Sequence, residues 1–449
     1  MPNESPPEPR AAGEPSSSGV SSSRVLVSGL VVSVAVFAAN ASNFVFQVAT
    51  GRLLSASEYG LLLSAFTLMG LLSVVISATQ AAVSKTEAIR IARRQRLTTR
   101  DTTGLGAMER LRVAAAELRD DRLAMLAVQV GLAGGIVVAL LSPLVADFLH
   151  SDLSVALAIA ASVPTLGTSA IVFGRLQGRQ RFQLFAIVSL SLALMKLGGG
   201  IGALAIGFGT SSVLLVVATS TLAVSVWGLL LVRAPGPSGL RALAGEIVRA
   251  LVVLACWRAI IGMDIPLARF WLPEQLVGQY AAAGVIGRGI LWLPEIVSFM
   301  LFPSLASAVA EGRSSKNELR RSLVLTVGLC AFGVVVLRVM GPWIFSVLYG
   351  SKYPDAADYA WKVALAALPN AAANLFMFAA LARQAWNWVF WLVAGVGVQV
   401  VAMVLFHRSP DQLIMCAALG GIVTLLVTWT ATRRPAGDAG EPAAAALPT

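Results

Sequence analysis

The chain has 449 residues, of which 57% are hydrophobic and 13% charged, and its mean hydropathy is +0.78. Soluble proteins carry about 25% charged residues, so the composition excludes a water-soluble globular protein and a disordered one. The formal charge of +11 would suggest nucleic acid in a soluble chain, but no stretch interleaves Lys/Arg with aromatics as a single-strand binding platform does.

Residues 1–24 are rich in Ser, Pro and Glu and read as a disordered cytoplasmic tail. Twelve apolar stretches then follow, each long enough to cross a bilayer, which takes about 20 residues. They cover about 26–50, 61–83, 123–148, 154–174, 183–205, 211–232, 248–270, 279–303, 322–345, 359–380, 387–406 and 412–431. The expected fold is an all-α polytopic membrane protein with two six-helix lobes around a central cavity. An N-lobe spans 25–232 with a cytoplasmic loop at 84–122, and a C-lobe spans 233–431. A short cytoplasmic tail covers 432–449. Within the long loop, Met108–Arg119 reads as an amphipathic helix that lies on the membrane surface or as a solvated connector.

Orientation follows from the basic residues. With the N-terminus inside, cytoplasmic segments hold 25 of the 34 Lys and Arg, with Arg249 at a helix edge included. The outside turns hold only Arg52, Lys352 and Arg408. The positive-inside rule therefore places both termini in the cytoplasm, and the surplus charge faces anionic membrane lipid. The abundance of Arg and Ala suggests a high-GC bacterium, so the membrane is the bacterial inner (plasma) membrane.

Six basic residues fall within the stretches: Lys196, Arg258, Arg269, Arg288, Arg338 and Lys362. A charge at the bilayer centre costs about 2.5–3.5 kcal/mol or more, so each needs a cavity, a partner or an interface. Arg269 and Lys362 are near outer ends and are expected to snorkel. Arg258, Arg288, Arg338 and Lys196 are deeper, and each either lines a cavity or forms a structural pair. Asp264 and Glu295 are the clearest acids in the spans; they are candidates for such pairs or for proton or sodium coupling. Asn40, Asn43 and Gln47 recur at helical spacing on one face of the first helix and are expected to face the cavity. Gln80, Asn370 and Asn374 are expected to hydrogen-bond between helices. Prolines 143, 164, 266, 294 and 369 allow bending within spans.

Catalytic constellations are missing. There are three cysteines and two histidines, without metal spacing, and no P-loop. The outside turns are too short for the extramembrane domain that an enzyme acting on lipid-linked sugars would need. The expectation is a protein that is not an enzyme and has no cofactor beyond a coupling H+ or Na+.

Several short motifs carry a resemblance. They are Arg52-Leu53-Leu54-Ser55-Ala56-Ser57-Glu58-Tyr59-Gly60, Arg175-Leu176-Gln177-Gly178-Arg179-Gln180-Arg181-Phe182, Asp264 followed by Val277-Gly278-Gln279-Tyr280, Leu301-Phe302-Pro303, and Leu348-Tyr349-Gly350-Ser351-Lys352-Tyr353-Pro354-Asp355-Ala356. In this order the chain resembles polysaccharide flippases of the MOP (multidrug/oligosaccharidyl-lipid/polysaccharide) exporter superfamily, the Wzx-type O-antigen flippases or "polysaccharide biosynthesis proteins". The resemblance implies alternating access that carries a polyprenyl-diphosphate-linked oligosaccharide across the inner membrane. The implied partners are that glycan lipid, membrane lipid and polysaccharide-assembly proteins. An arginine-lined cavity suits a diphosphate, because guanidinium forks bind phosphate oxygens and stay charged. Two other functions remain open: a MATE-like drug or metabolite antiporter, and a non-transporting membrane scaffold that recruits glycosyltransferases through loop 84–122.

Overall fold

The computed structural model of the protein describes residues 22–99, 122–231, 240–291, 316–382 and 388–433. The described residues are almost entirely helical, and none of them is in a strand. The helices are α1 (Ser22–Leu53), α2 (Ala56–Thr99), α3 (Arg122–Leu140), α4 (Ser142–Phe148), α5 (Leu153–Gly178), α6 (Phe182–Ala205) and α7 (Thr210–Leu231). They continue as α8 (Leu240–Gly262), α9 (Asp264–Trp271), α10 (Glu274–Arg288), α11 (Lys316–Tyr349), α12 (Ala356–Ala382), α13 (Trp388–Leu405) and α14 (Pro410–Arg433). A 3-10 turn, Gly289–Leu291, extends α10. Seven of these helices are long and apolar enough to cross a membrane, and nine spans result if α3–α4 and α8–α9 each count as one bent span.

The two bends have a local cause. α3 meets α4 at 61°, and α8 meets α9 at 49°. Pro143 and Pro266 lie just past the breaks, and neither can donate to the carbonyl four residues back, Ala139 and Gly262 respectively. By contrast, Pro164 and Pro369 lie inside unbroken helices. Pro164 fills a notch on α3, where Gly131 and Gly135 leave room for its ring. Pro294 is outside the described residues.

With each bent pair taken as one element, twelve helical segments follow the twelve apolar stretches in order, the eighth of which (279–303) is described only as far as Leu291. Their ends differ in one place that matters. α2 was expected to stop near residue 83 but continues to Thr99. The extension is braced by α5: Gly178 packs directly on the Ser84 backbone and Glu87, and Arg179 Nε donates to Glu87 Oε1 at 2.6 Å. A polar segment can stay helical when one face is paired in this way. The amphipathic segment at 108–119 lies outside the described residues.

Packing repeats between the halves. In the first, α1 packs on α6, α2 on α5, α3 on α5, α5 on α7 and α6 on α7. In the second, α8 packs on α13, α10 on α12, α11 on α12, α12 on α14 and α13 on α14. Span for span, the pattern is the same: first on fifth, second and third on fourth, fourth and fifth on sixth. The halves meet chiefly through α2, which lies against α8, α9 and α10; a smaller contact joins α1 to α11. The α2–α10 crossing is close because Gly60 and Gly278 have no side chains. A methyl group on Gly278 would overlap the Ala56 carbonyl. The largest buried cluster runs through this seam, with Phe46, Tyr59, Leu62, Tyr280, Phe345 and Tyr349 among its members.

Candidate functional site: a cationic cavity between the halves

The short connections at 54–55, 149–152, 206–209, 272–273, 350–355 and 406–409 all lie at one end of the bundle, the turn end. Below it, a cavity of about 260 Å³ opens between the halves. One wall is Gln47 of α1 with Leu63, Phe66, Thr67, Gly70 and Leu71 of α2; the other holds Arg258, Ile261 and Gly262 of α8, Ile265 of α9, and Gly284, Val285 and Arg288 of α10. At 1.5 Å per residue, Leu63 is about 10 Å below the start of α2 and Arg288 about 21 Å below the start of α10. In a hydrocarbon core of about 30 Å, that is mid-membrane depth.

Two cations enter the cavity with different partners. Arg288 Nη2 donates to Asp264 Oδ2 in an ion pair whose carboxylate is about 2% exposed. The Tyr280 hydroxyl donates to the same oxygen. Asp264 is therefore held between two elements, since α9 carries the acid and α10 carries both donors. Its other oxygen, Oδ1, is buried without a hydrogen-bond partner. Arg258 is exposed to the cavity. Among the described residues it forms no ion pair.

Arg288 also borders a second, smaller space. A cavity of about 20 Å³, room for a single water, is lined by Asp264, Tyr280, Arg288 and Asn370 among apolar residues. Asn370 Oδ1 is buried without a partner, as are Asn374 Oδ1 and Gln399 Oε1 elsewhere in the second half. Gln399 Nε2 donates to the Ile260 carbonyl at 3.1 Å and so ties α13 to α8. Arg288 thus stands between a small acid- and amide-lined space and the large cavity.

The remaining candidates are placed differently. Lys196 of α6 sits in the first half, where Nζ donates to Asn43 Oδ1 at 3.2 Å and lies 4.8 Å and 5.0 Å from the ring centres of Phe46 and Phe66. Phe66 lines the cavity, so Lys196 stands behind that wall rather than in it. Asn43 in turn donates to the Ala39 carbonyl at 3.1 Å. Of the α1 stripe only Gln47 lines the cavity. Asn40 is exposed on the same helix. Arg338 is not brought to the cavity; it lies on the exposed side of α11, 5.4 Å over the Trp361 ring. Glu295 lies outside the described residues.

The two residues read as snorkelling cations both have partners near the turn end. Lys362 bridges Asp358 at 2.7 Å and Asp411 at 3.0 Å, linking α12 to α14. Arg269 is only about 3% exposed and joins the halves at the turn end. Sequence reasoning also passed over Tyr280 as a site residue. The signal was present, because Tyr280 closes the Gly-x-Tyr motif downstream of Asp264. Among the described residues there is no group of His, Cys, Asp and Glu able to hold a metal ion.

No protein-family model matches the chain. A search of curated proteins also finds no match. Solved structures do match. The inward-facing conformation of a multidrug resistance MATE family transporter of the MOP superfamily aligns with a TM-score of 0.65 at 13% identity, covering 87% of this chain and 93% of that one. The lipid II flippase MurJ in an inward closed conformation also gives 0.65, at 11% identity over 90% of this chain and 88% of that one. An outward-facing MATE family transporter of the MOP superfamily gives 0.59, at 13% identity over 90% and 94%. The fold is that of MOP superfamily transporters, and the chain is a polytopic membrane protein.

Proposed function

We propose that the protein is a flippase of the bacterial inner membrane that moves a polyprenyl-diphosphate-linked oligosaccharide by alternating access. The observation that carries this reading is the pair of arginines at mid-membrane depth in a cavity between the halves. A bare diphosphate cannot enter hydrocarbon without a prohibitive desolvation cost. Arg258 faces the cavity as an anchor for phosphate oxygens, and Gln47 across from it can accept or donate to sugar hydroxyls. A drug-cation exporter would use acidic lining; among the described residues the one acid beside the cavity, Asp264, is already committed to Arg288 and Tyr280.

Asp264 is then the coupling residue of the mechanism. A proton or sodium ion arriving at Asp264 would weaken its hold on Arg288 and free that guanidinium for the second phosphate. Cation and anion would strengthen each other's binding, and by linkage the effect is equal in both directions.

The test is binding of a polyprenyl diphosphate to purified protein, titrated at several pH values and sodium concentrations. The expected result is saturable binding, weakened at least tenfold in Arg258→Ala, that tightens as pH falls or sodium rises and loses that dependence in Asp264→Asn. No binding, or binding indifferent to Arg258, would favour the antiporter or scaffold instead.

A further inference from the structure

Polar contacts join the two halves at the turn end. Arg269, at the end of α9 in the second half, is almost fully buried and spends its donors on the first half. Its Nε donates to the Leu149 carbonyl at 2.9 Å, and Nη2 to the His150 carbonyl at 3.1 Å. Its Nη1 reaches Ser57 O and Oγ at 3.4 Å. Glu274, at the start of α10, accepts from Arg269 Nη2 at 2.9 Å and from the Ser57 hydroxyl.

Leu149 and His150 form the C-terminal cap of α4. His150 has φ of 46°, and Ser151 N donates back to Ala146 O at 2.9 Å, the left-handed ending that leaves the last carbonyls pointing outward. A helix C-terminus carries partial negative charge, so a cation there is favoured.

A second cation makes the same kind of contact. Lys352 Nζ donates to the carbonyls of Arg52 at 2.5 Å and Leu54 at 2.7 Å, at the C-terminus of α1. Beside it the Tyr353 hydroxyl donates to the Gly51 carbonyl at 2.9 Å. Burial pushes the Tyr353 phenol up, so it stays protonated and keeps donating.

The two contacts are related by the repeat. Arg269 ends the first span of the second half and grips the third span of the first half. Lys352 follows the third span of the second half and grips the first span of the first half. The pseudo-two-fold relation between the halves exchanges one contact for the other, and they flank the close α2–α10 crossing at Gly278. In both, the cation comes from the second half and its acceptors include helix-end carbonyls of the first.

We infer that these two clamps are the gate of the turn end: Arg269 on the C-terminus of α4, and Lys352 with Tyr353 on the C-terminus of α1, hold the halves together there and must both release for that end to open. Helix-end carbonyls fit this task because water can replace them when the gate opens, whereas a broken salt bridge would strand a carboxylate. The inference rests on the alternating-access part of the proposed function but not on the identity of the substrate.

The experiment is a spin-label distance measurement across the turn end, in lipid nanodiscs without any ligand. Labels go on Phe208→Cys in the first half and Phe406→Cys in the second, both exposed and outside the clamps. The native cysteines are buried, and protein without the introduced pair gives the background. The expected result is one short-distance population in the parent protein, a second and longer one in Arg269→Met or Lys352→Met, and a dominant longer one in the double variant. An unchanged distribution in the double variant would overturn the gate. If Arg269→Met is not monodisperse, the pair Lys352→Met and Tyr353→Phe is read instead: a longer population there supports the gate, and an unchanged one overturns it. Because no substrate is present, failure of the gate and failure of the diphosphate reading are separate outcomes.

Discussion

Asp264 accepts from Arg288 and Tyr280 through one oxygen while its other oxygen lies buried without a partner. Removing one member of a buried ion pair leaves the other charge uncompensated and costs about 3–5 kcal/mol in soluble proteins. Arg288→Met should therefore lower the thermal unfolding midpoint in detergent sharply, and adding Asp264→Asn should restore most of the loss. Arg258→Met, at a residue open to the cavity, should leave the midpoint nearly unchanged. A double variant as unstable as Arg288→Met alone would mean that packing, not charge, sets the cost. At this scale the sequence was partly legible. It marked Arg258, Arg288 and Asp264 as charges in need of a partner or cavity, because hydrocarbon makes every unpaired charge conspicuous. It could not separate them from Arg338, and it set Arg269 aside as a snorkelling cation. Arg338 finds a ring on its own side of the bundle, and Arg269 finds carbonyls about 120 residues away in the chain. Hydropathy along one helix carries no information about which helix ends another half will bring near.

The elements were more legible than their ends. The apolar stretches are helical wherever the structure describes them, because a backbone in lipid must satisfy its own hydrogen bonds. The bends at Leu141 and Met263 follow from Pro143 and Pro266, which the sequence shows, but proline alone does not decide the matter, since Pro164 and Pro369 leave α5 and α12 unbroken. Where helices cross closely, glycine decides. Gly278 abuts Ala56 at the α2–α10 crossing, while Gly397 on α13 has open space around it. Gly278→Ala should push the halves apart at the turn end and lower the unfolding midpoint. Gly397→Ala should be neutral or raise it slightly, since alanine is favoured over glycine in a helix by up to about 1 kcal/mol. Equal behaviour of the two variants in a thermal scan would show that the crossing tolerates a side chain.

At the scale of the whole molecule, direction depends on which end faces outward. The cavity lies below a turn end where Arg269, Lys352 and the Gly278 crossing join the halves. By the positive-inside rule the turn end is expected outside, for the turns there hold Arg52, Lys352 and Arg408, while the opposite end carries Arg175, Arg179, Arg181, Arg320 and Arg321 among others. A membrane-impermeant maleimide applied to intact spheroplasts should therefore label Phe208→Cys and Phe406→Cys at once. Arg181→Cys and Arg320→Cys, exposed at the other end, should react only after the membrane is broken. The reverse pattern would turn the molecule over: the sealed end would face the cytoplasm, the arginine cavity would be offered to the outer leaflet, and the same clamps would guard uptake instead of export.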